Sequence, residues 1–395
     1  MNRMKKCFFF LLTWLALSAS CSAQQITNEQ MGGVYYAYQA DTAVRETPAP
    51  LGFVPVYISH YGRHGSRWLP SDDRYRNVLA QFADTENLTT LGQDVRKRLL
   101  RIWADAEGRG GDLTALGARQ QQALAERMFK RWSQVFSANS RVEARSSVVG
   151  RCVTSMTAFL LRLQALSPTL RITAESNRRF MPWIAYASPE QVALESRVPR
   201  TIKVSPMRLM SSLFVHPEKV KEPMNLLSEL HCIASDMQDV EVGVSLYDIF
   251  TPAEMRAVYE ANNENMWTCN SHNAISAGIP ERSSVSLWQN IVSEADAALE
   301  KKSPVATLRF GHDTSLYRLL TLLGVLGNEH RMDRIVPMAA NLFMVFYRNA
   351  QGQVLVKFLH NEHEILLPMT STTAPYYNWE QVKSHYDKVV NELMH

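Results

Sequence analysis

Residues 63–67 read Arg63-His64-Gly65-Ser66-Arg67, and far downstream stand His312 and Asp313. A further arginine, Arg145, follows another short apolar run. Each group stands where a strand-like stretch gives way to a turn or helix. In an open α/β sheet that edge is where ligands bind, in the crevice outside the strand ends. Three arginines and two histidines on one rim would repel one another unless something negative sat between them. A phosphate supplies that charge, and a planar guanidinium fork can donate two hydrogen bonds at once to its oxygens. Helix N-termini at the same edge add N–H donors for an anion. Taken singly, an arginine at a strand end is usually a surface ion pair and a histidine usually structural. The spaced string Arg-His-Gly-x-Arg is far more specific than its parts.

The elements that position these residues are legible from the apolar pattern. The run 53–59, Phe-Val-Pro-Val-Tyr-Ile-Ser, is apolar almost without alternation, which suits a strand covered on both faces. Gly111 to Gly117 form a turn feeding a long helix, where Leu116, Leu124, Met128 and Trp132 recur at multiples of four. A short strand over 141–144 leads to Arg145-Ser146-Ser147, and either serine can cap the helix through Met156, Phe159 and Leu163. A strand over 170–174 follows. From 176 to 282 strand-like runs thin out and helical segments such as 223–233 and 252–263 dominate. Strand character returns at 306–310, followed by Gly311-His312-Asp313-Thr314 and a helix through Leu316, Leu319, Leu320 and Leu323. Segments 341–347 and 354–359 read as a closing strand pair joined by a turn at 349–352. The expectation is an α/β fold, a mostly parallel central sheet flanked by helices, with an inserted, mostly helical cap. Its parts are a leader (1–23), an extended N-terminal arm (24–50), the first part of the core (51–175), the cap (176–282) and the second part of the core (283–395).

The whole chain has 395 residues, 46% of them apolar and 20% charged, too apolar for a disordered tail. With 17 Gly and 17 Pro and no fixed repeat, collagen-like, low-complexity and solenoid readings fall away. The net charge of +4 includes Arg3, Lys5 and Lys6; without them the chain is nearly neutral, which argues against a nucleic-acid partner. Those three residues precede an apolar run from Cys7 to Leu17 and the small residues Ser18 to Ala23, the pattern of a secretory signal. Cleavage after Ala23 would give a soluble exported protein. Cleavage before Cys21, with acylation of that cysteine, would give a lipid anchor, although Ser18 is a poor residue three positions ahead of it. No transmembrane segment is expected. Either route points to export, to the periplasm or outer membrane in a bacterial host. Cys152, Cys232 and Cys269 then remain, enough for one disulfide, Cys232 with Cys269, or for three buried thiols.

At these residues the sequence resembles the histidine acid phosphatases, the branch of the histidine phosphatase superfamily that includes phytases. The opening motif Arg-His-Gly-x-Arg-x-Pro is matched by Arg63-His64-Gly65-Ser66-Arg67-Trp68-Leu69-Pro70, with the proline displaced by one position. A Gly-x-Leu-Thr-x-x-Gly turn is matched by Gly111 to Gly117, and an Arg-Ser-x-x-x-x-Arg stretch by Arg145-Ser146 with Arg151. The last motif is matched by His312-Asp313-Thr314, as in bacterial phytases. The segment Ala339-Ala340-Asn341-Leu342 and the pair Asn361-Glu362 look most like the multiple inositol polyphosphate phosphatases, which more often carry His-Ala-Glu at that last motif. In motif order the resemblance spans roughly residues 53–367. It implies a phosphoglycerate mutase-like core and a phosphomonoesterase acting on inositol polyphosphates such as phytate, with no metal and no other cofactor. By position, His64 is the nucleophile that forms a phosphohistidine. Arg63, Arg67, Arg145 and His312 bind the phosphate oxygens, and Asp313 is the general acid. The clustered positive charge should lower the His64 pKa. Trp68 and Thr314 are candidates for the pocket lip.

Competing readings are a broad acid or sugar-phosphate phosphatase, and a phosphate-ligand binding protein without turnover. The string His360-Asn361-Glu362-His363-Glu364 lacks the His-Glu-x-x-His spacing of a zinc helix and is expected to be structural. Arg178, Arg179 and Lys203 are expected to be solvated surface charges rather than contacts to extra phosphates. Asn87-Leu88-Thr89 is a glycosylation sequon only in a host that glycosylates in that compartment.

Overall fold

A computed structural model describes residues 26–40 and 46–394 of the chain. The expected leader (1–23), with Cys21, lies outside the described residues. Among those described, no helix is long and apolar enough to cross a membrane.

Eight strands form one mixed sheet: β1 (Val54–Arg63), β2 (Arg141–Ser146), β3 (Arg171–Ser176), β4 (Ala306–Gly311), β5 (Asn341–Arg348), β6 (Val354–His360), β7 (His363–Ile365) and β8 (Tyr376–Asn378). Their order is β3-β2-β4-β1-β5-β6-β7, with β8 also paired to β6. The half from β3 to β1 is parallel, whereas β5 to β8 pair antiparallel. The unalternating apolar run of β1 has a direct cause. Tyr57 and Tyr61 enter one hydrophobic cluster and Ile58 the cluster on the opposite face, so both faces are covered.

In chain order the helices are α1 (Asp72–Gln81), α2 (Thr90–Ala106), α3 (Ala115–Arg131), α4 (Gly150–Leu166), α5 (Met181–Ile184), α6 (Pro189–Arg197), α7 (Met207–Leu213), α8 (Pro223–Asp236), α9 (Pro252–Asn270), α10 (Ile279–Lys301), α11 (Asp313–Leu322), α12 (Met332–Ile335) and α13 (Trp379–Met394). The Leu124, Met128 and Trp132 stripe of α3 packs on one face of the sheet with Met156 and Phe159 of α4. Trp288 and Ile291 of α10, Leu319 of α11 and Trp379 of α13 cover the other.

A third cluster forms a helical layer away from the sheet. It joins Leu209 and Leu213 of α7, Leu227 and Leu230 of α8 and Val258 of α9 to Tyr75 of α1 and Val95, Leu99 and Ile102 of α2. Helices preceding β2 therefore share a core with those after β3. The N-terminal arm is not simply extended: Gln30–Tyr35 make a 3-10 turn whose Met31 and Tyr35 are buried in this same cluster.

Several local expectations are corrected. Neither Ser146 nor Ser147 caps α4, because the helix starts only at Gly150, after Val149. Cys152, Cys232 and Cys269 are free, buried thiols. Cys232 sits on α8 near Arg74 and Glu229, and Cys269 on α9 near Glu195 and Arg318, so the Cys232–Cys269 disulfide does not form. The sequon residue Asn87 is buried; its side-chain oxygen accepts the His216 N–H at 2.7 Å and its Nδ2, the atom that would carry a sugar, donates to the His216 carbonyl at 3.4 Å. In the string near the C-terminus, His360 Nε2 meets the Ile335 carbonyl at 2.7 Å, Glu362 holds Arg127 and the Tyr38 hydroxyl, and Glu364 holds Lys357. Those side chains are occupied by structural bonds. Arg178, Arg179 and Lys203 are exposed, and Arg179 pairs with Glu175 at 2.8 Å.

Candidate active site

The sheet register brings the motif residues together. Arg63, the last residue of β1, is level with Gly311 of β4, and Ser146 of β2 is level with Phe310. Beyond the strands, the His64 N–H donates to the Gly311 carbonyl at 3.1 Å and the Ser147 N–H to the Phe310 carbonyl at 3.0 Å. His64, Ser147 and His312 thus leave three adjacent strands at one level, and the two imidazoles lie 5.8 Å apart, edge to face.

The turn after β1 is held by the start of α3, which explains why the Gly111–Gly117 segment needs its residue types. The Thr114 N–H and hydroxyl both donate to the Ser66 carbonyl, at 2.9 and 3.1 Å. The same hydroxyl accepts the Gly117 N–H at 3.1 Å, capping the helix. The backbones touch: a Cβ on Gly65 would lie 2.4 Å from the Gly117 oxygen, and one on Gly117 would lie 2.1 Å from the Ser66 oxygen. Ser155 accepts the Gly65 N–H, Gln120 accepts the Ser66 N–H, and Gln121 donates to the Arg63 carbonyl. These backbone groups of the turn are committed before a ligand arrives.

The side chains then divide the work. His64 Nδ1 is 2.9 Å from the Gly65 carbonyl. A carbonyl can only accept, so Nδ1 carries the proton and Nε2 presents a lone pair. Burial, then Arg63, Arg151, Arg67 and His312, hold His64 well below its ordinary pKa. Arg63 is fully buried. Its Nη1 donates to the carbonyls of Val34 and Val336, both at 2.6 Å, and its Nη2 meets Asp313 Oδ2 at 2.9 Å. Burial alone would raise the Asp313 carboxyl, but Arg63, His312 and the Thr314 N–H hold it below the usual carboxylate range. Arg67 donates to the Trp68 carbonyl at 3.0 Å and lies over the Tyr35 ring. The His312 ring meets the Ser147 hydroxyl at 3.1 Å through Nε2, and its backbone N–H donates to the Tyr61 hydroxyl at 3.2 Å. Burial and then Arg151 lower His312 to about 4.

Arg145 is not brought to this cluster. Side chains alternate along β2, so Arg145 points to the sheet face shared with Glu143, where it meets Glu143 at 3.0 Å and Glu294 of α10 at 2.5 Å. Arg151, in the first turn of α4, acts on His64 and His312 instead, and no carboxylate among the described residues pairs with it within 4 Å. Trp68 is buried in the helical core against Tyr75 rather than at a lip, and Thr314 gives its N–H to Asp313 Oδ1. The backing residues Val34, Tyr35, Ser155, Gln120 and Gln121 were not singled out from the sequence. They belong to no motif there, apart from Gln120 and Gln121 following closely on the Gly-x-Leu-Thr-x-x-Gly turn.

A model described as the histidine phosphatase superfamily, branch 2, matches residues 247–361, a stretch that contains His312 and Asp313. Over that stretch the chain is similar to the branch 2 histidine phosphatases. It is 24% identical over 385 residues to multiple inositol polyphosphate phosphatase 1 of Gallus gallus, covering 86% of this chain and 83% of that protein. Among solved structures, the Bifidobacterium longum multiple inositol polyphosphate phosphatase in complex with inositol hexasulfate superposes with a TM-score of 0.74 at 16% identity, covering 90% of this chain and 97% of the other. The phytase from D. castellii gives 0.66 at 15% identity, with 95% and 89% covered. These likenesses carry the fold of a histidine phosphatase to this chain.

Proposed function

We propose that this phosphatase is an exported, metal-independent phosphomonoesterase that hydrolyses inositol polyphosphates of the phytate class through a phosphohistidine on His64. The observation that carries the reading is a buried imidazole whose Nδ1 faces the Gly65 carbonyl, 5.8 Å from the His312 ring, held neutral by burial and by Arg63, Arg151 and Arg67, with Asp313 paired to Arg63. His64 Nε2 attacks phosphorus while the bond to the leaving alkoxide breaks, and Asp313 gives that alkoxide its proton. Water then attacks phosphorus and yields its proton to the Asp313 carboxylate while the phosphorus–nitrogen bond breaks, so phosphate leaves and His64 is restored. Arg67, Arg151 and His312 bind the phosphoryl oxygens, with Arg151 in the place expected of Arg145. Arg63, tied to two carbonyls and Asp313, orients the acid and contributes field.

Asp313 starts ionised beside Arg63, so it must gain its proton as substrate arrives. A phosphate dianion next to the carboxylate raises its pKa, which is the required direction. Inositol phosphate as substrate is supported by the Gallus gallus relative and by the inositol hexasulfate held by the Bifidobacterium longum enzyme. Rapid quench with labelled phytate tests the mechanism: acid-labile, base-stable label on the wild type, absent in His64→Ala, is the expected result. Tight binding without label would favour a binding protein. Rates that rank phytate below glucose 1-phosphate and a chromogenic monoester would favour a broad phosphatase, and loss of activity with chelator would overturn metal independence.

A further inference from the structure

Two carboxylic acids that the mechanism does not use stand directly behind the catalytic turn. Asp236 ends α8 and Asp239 follows three residues later, both fully buried, with the Asp239 N–H donating to the Asp236 carbonyl at 2.8 Å. The Ser66 hydroxyl donates to Asp239 Oδ1. The Tyr75 hydroxyl donates to Asp236 Oδ2 at 3.1 Å, and Asp236 Oδ1 stands 3.7 Å from Arg67 Nη1. Asp236 Oδ1 and Asp239 Oδ2 have no hydrogen-bond partner among the described residues.

Two full negative charges are costly there. Both groups are out of water, they repel one another, and the C-terminal end of α8 presents its own negative partial charge. Arg67 compensates one charge, and a proton on the pair removes the other. We propose that Asp236 and Asp239 are positioning residues for the phosphate site, a proton-sharing counter-charge that sets Arg67 and the Gly65–Ser66 turn, and whose full ionisation weakens the hold on a doubly charged oxyanion. The inference rests on the reading of the cluster as a phosphate site.

The charged and titratable groups facing the pair are Arg63 and Arg67 from β1 and its turn, Arg74 and Tyr75 from α1, Tyr35 from the N-terminal turn, Tyr247 ahead of α9 and Cys232 on α8. Burial raises the tyrosines and the thiol, which stay neutral, and the arginines stay charged. Burial pushes Asp236 up to about 7 against the pull of Arg67 and Tyr75, while burial and Asp236 push Asp239 well above its ordinary value. The pair therefore gains charge in a range where His64 and His312 are already neutral.

The test is the affinity of inorganic sulfate, which keeps both charges throughout, measured by calorimetry on the full chain from pH 6 to 9. Wild type should lose about tenfold affinity as pH rises, the effect of one added charge near Arg67. Asp239→Asn and Asp236→Asn should each flatten that slope, and a purely structural role would instead lower affinity at every pH. A slope owed to His64 or His312 would persist in both variants and overturn the inference. So would a flat wild-type profile, which needs no variant to fold. Failure of wild type to bind sulfate or phosphate at any pH would overturn the phosphate site itself, and this inference with it.

Discussion

Two regions of the molecule gather arginines, and they balance the charge differently. On the sheet face under α10, Arg309 of β4 is met by Glu294, Asn290 and the Ser59 hydroxyl, and Arg145 by Glu294 and Glu143. There each cation has its carboxylate. At the sheet edge a few residues away, Arg63 meets Asp313 and Arg67 stands near Asp236, but Arg151 has no carboxylate partner among the described residues, and two histidines are held neutral beside it. Like charges left close together and half-dry cost stability, so the edge is arranged for a charge supplied from outside. The face is arranged for folding.

The sharpest break in that comparison comes from the nucleophile. His64→Ala should lower kcat by roughly 10⁵-fold or more, because removing the attacking group of a covalent mechanism removes most of the catalysis, with folding intact by circular dichroism. Next, Arg151→Ala should cost on the order of 10²–10³ in kcat/KM, about 3–4 kcal/mol of transition-state stabilisation, and leave the melting temperature unchanged or higher. Arg145→Ala should do the reverse, losing about 2 kcal/mol of stability in urea titrations while kcat/KM stays within about threefold. If the two arginines exchange these phenotypes, the contrast between edge and face is wrong.

A smaller effect concerns His60, buried among Phe159, Phe310 and Phe343 with neither ring nitrogen hydrogen-bonded. Burial, then Arg309, lowers its pKa to about 3. The unfolded chain binds this proton from about pH 6.5 downward while the native state does not, so stability present above pH 6.5 is lost as pH falls toward 3. The loss is about 1.4 kcal/mol per pH unit at this one site. His60→Leu should therefore unfold less readily than wild type at pH 4.5 relative to its behaviour at pH 8, as denaturant midpoints would report. Smallest of all, Ser147→Ala removes the hydroxyl that meets His312 Nε2 and should raise KM about fivefold, near the 1 kcal/mol of one hydrogen bond.

Local chemistry was legible in the sequence where chain neighbours create it. A strand buried on both faces and ending in Arg63-His64 can be read directly, as can the His312-Asp313 pair at the end of β4. The choice between Arg145 and Arg151 was not legible. It depends on where β2 stops and α4 starts, and the two residues differ by a strand position against a helix turn. The same boundary decided that Ser147 faces His312 rather than capping a helix. The backing of the site was hidden for another reason. Arg63 is fixed by main-chain oxygens of Val34 and Val336, which leave no side-chain signature, and Asp236 and Asp239 reach the turn only because α8 packs on α1. The helical segment at 223–233 announces α8, but not that it shares one core with α1, α2 and α7 across β2 and β3.

The carbonyl of Val34 carries a practical lesson. It belongs to a short stretch near the N-terminus, one that a cloner trimming for expression would discard without touching a single motif residue. Protein shortened to begin at residue 36 would keep its sheet and its histidines, yet the guanidinium that steadies Asp313 would have lost one of its two carbonyl acceptors. Such a preparation, missing Met31 and Tyr35 from the helical core as well, would be mistaken for an inactive relative.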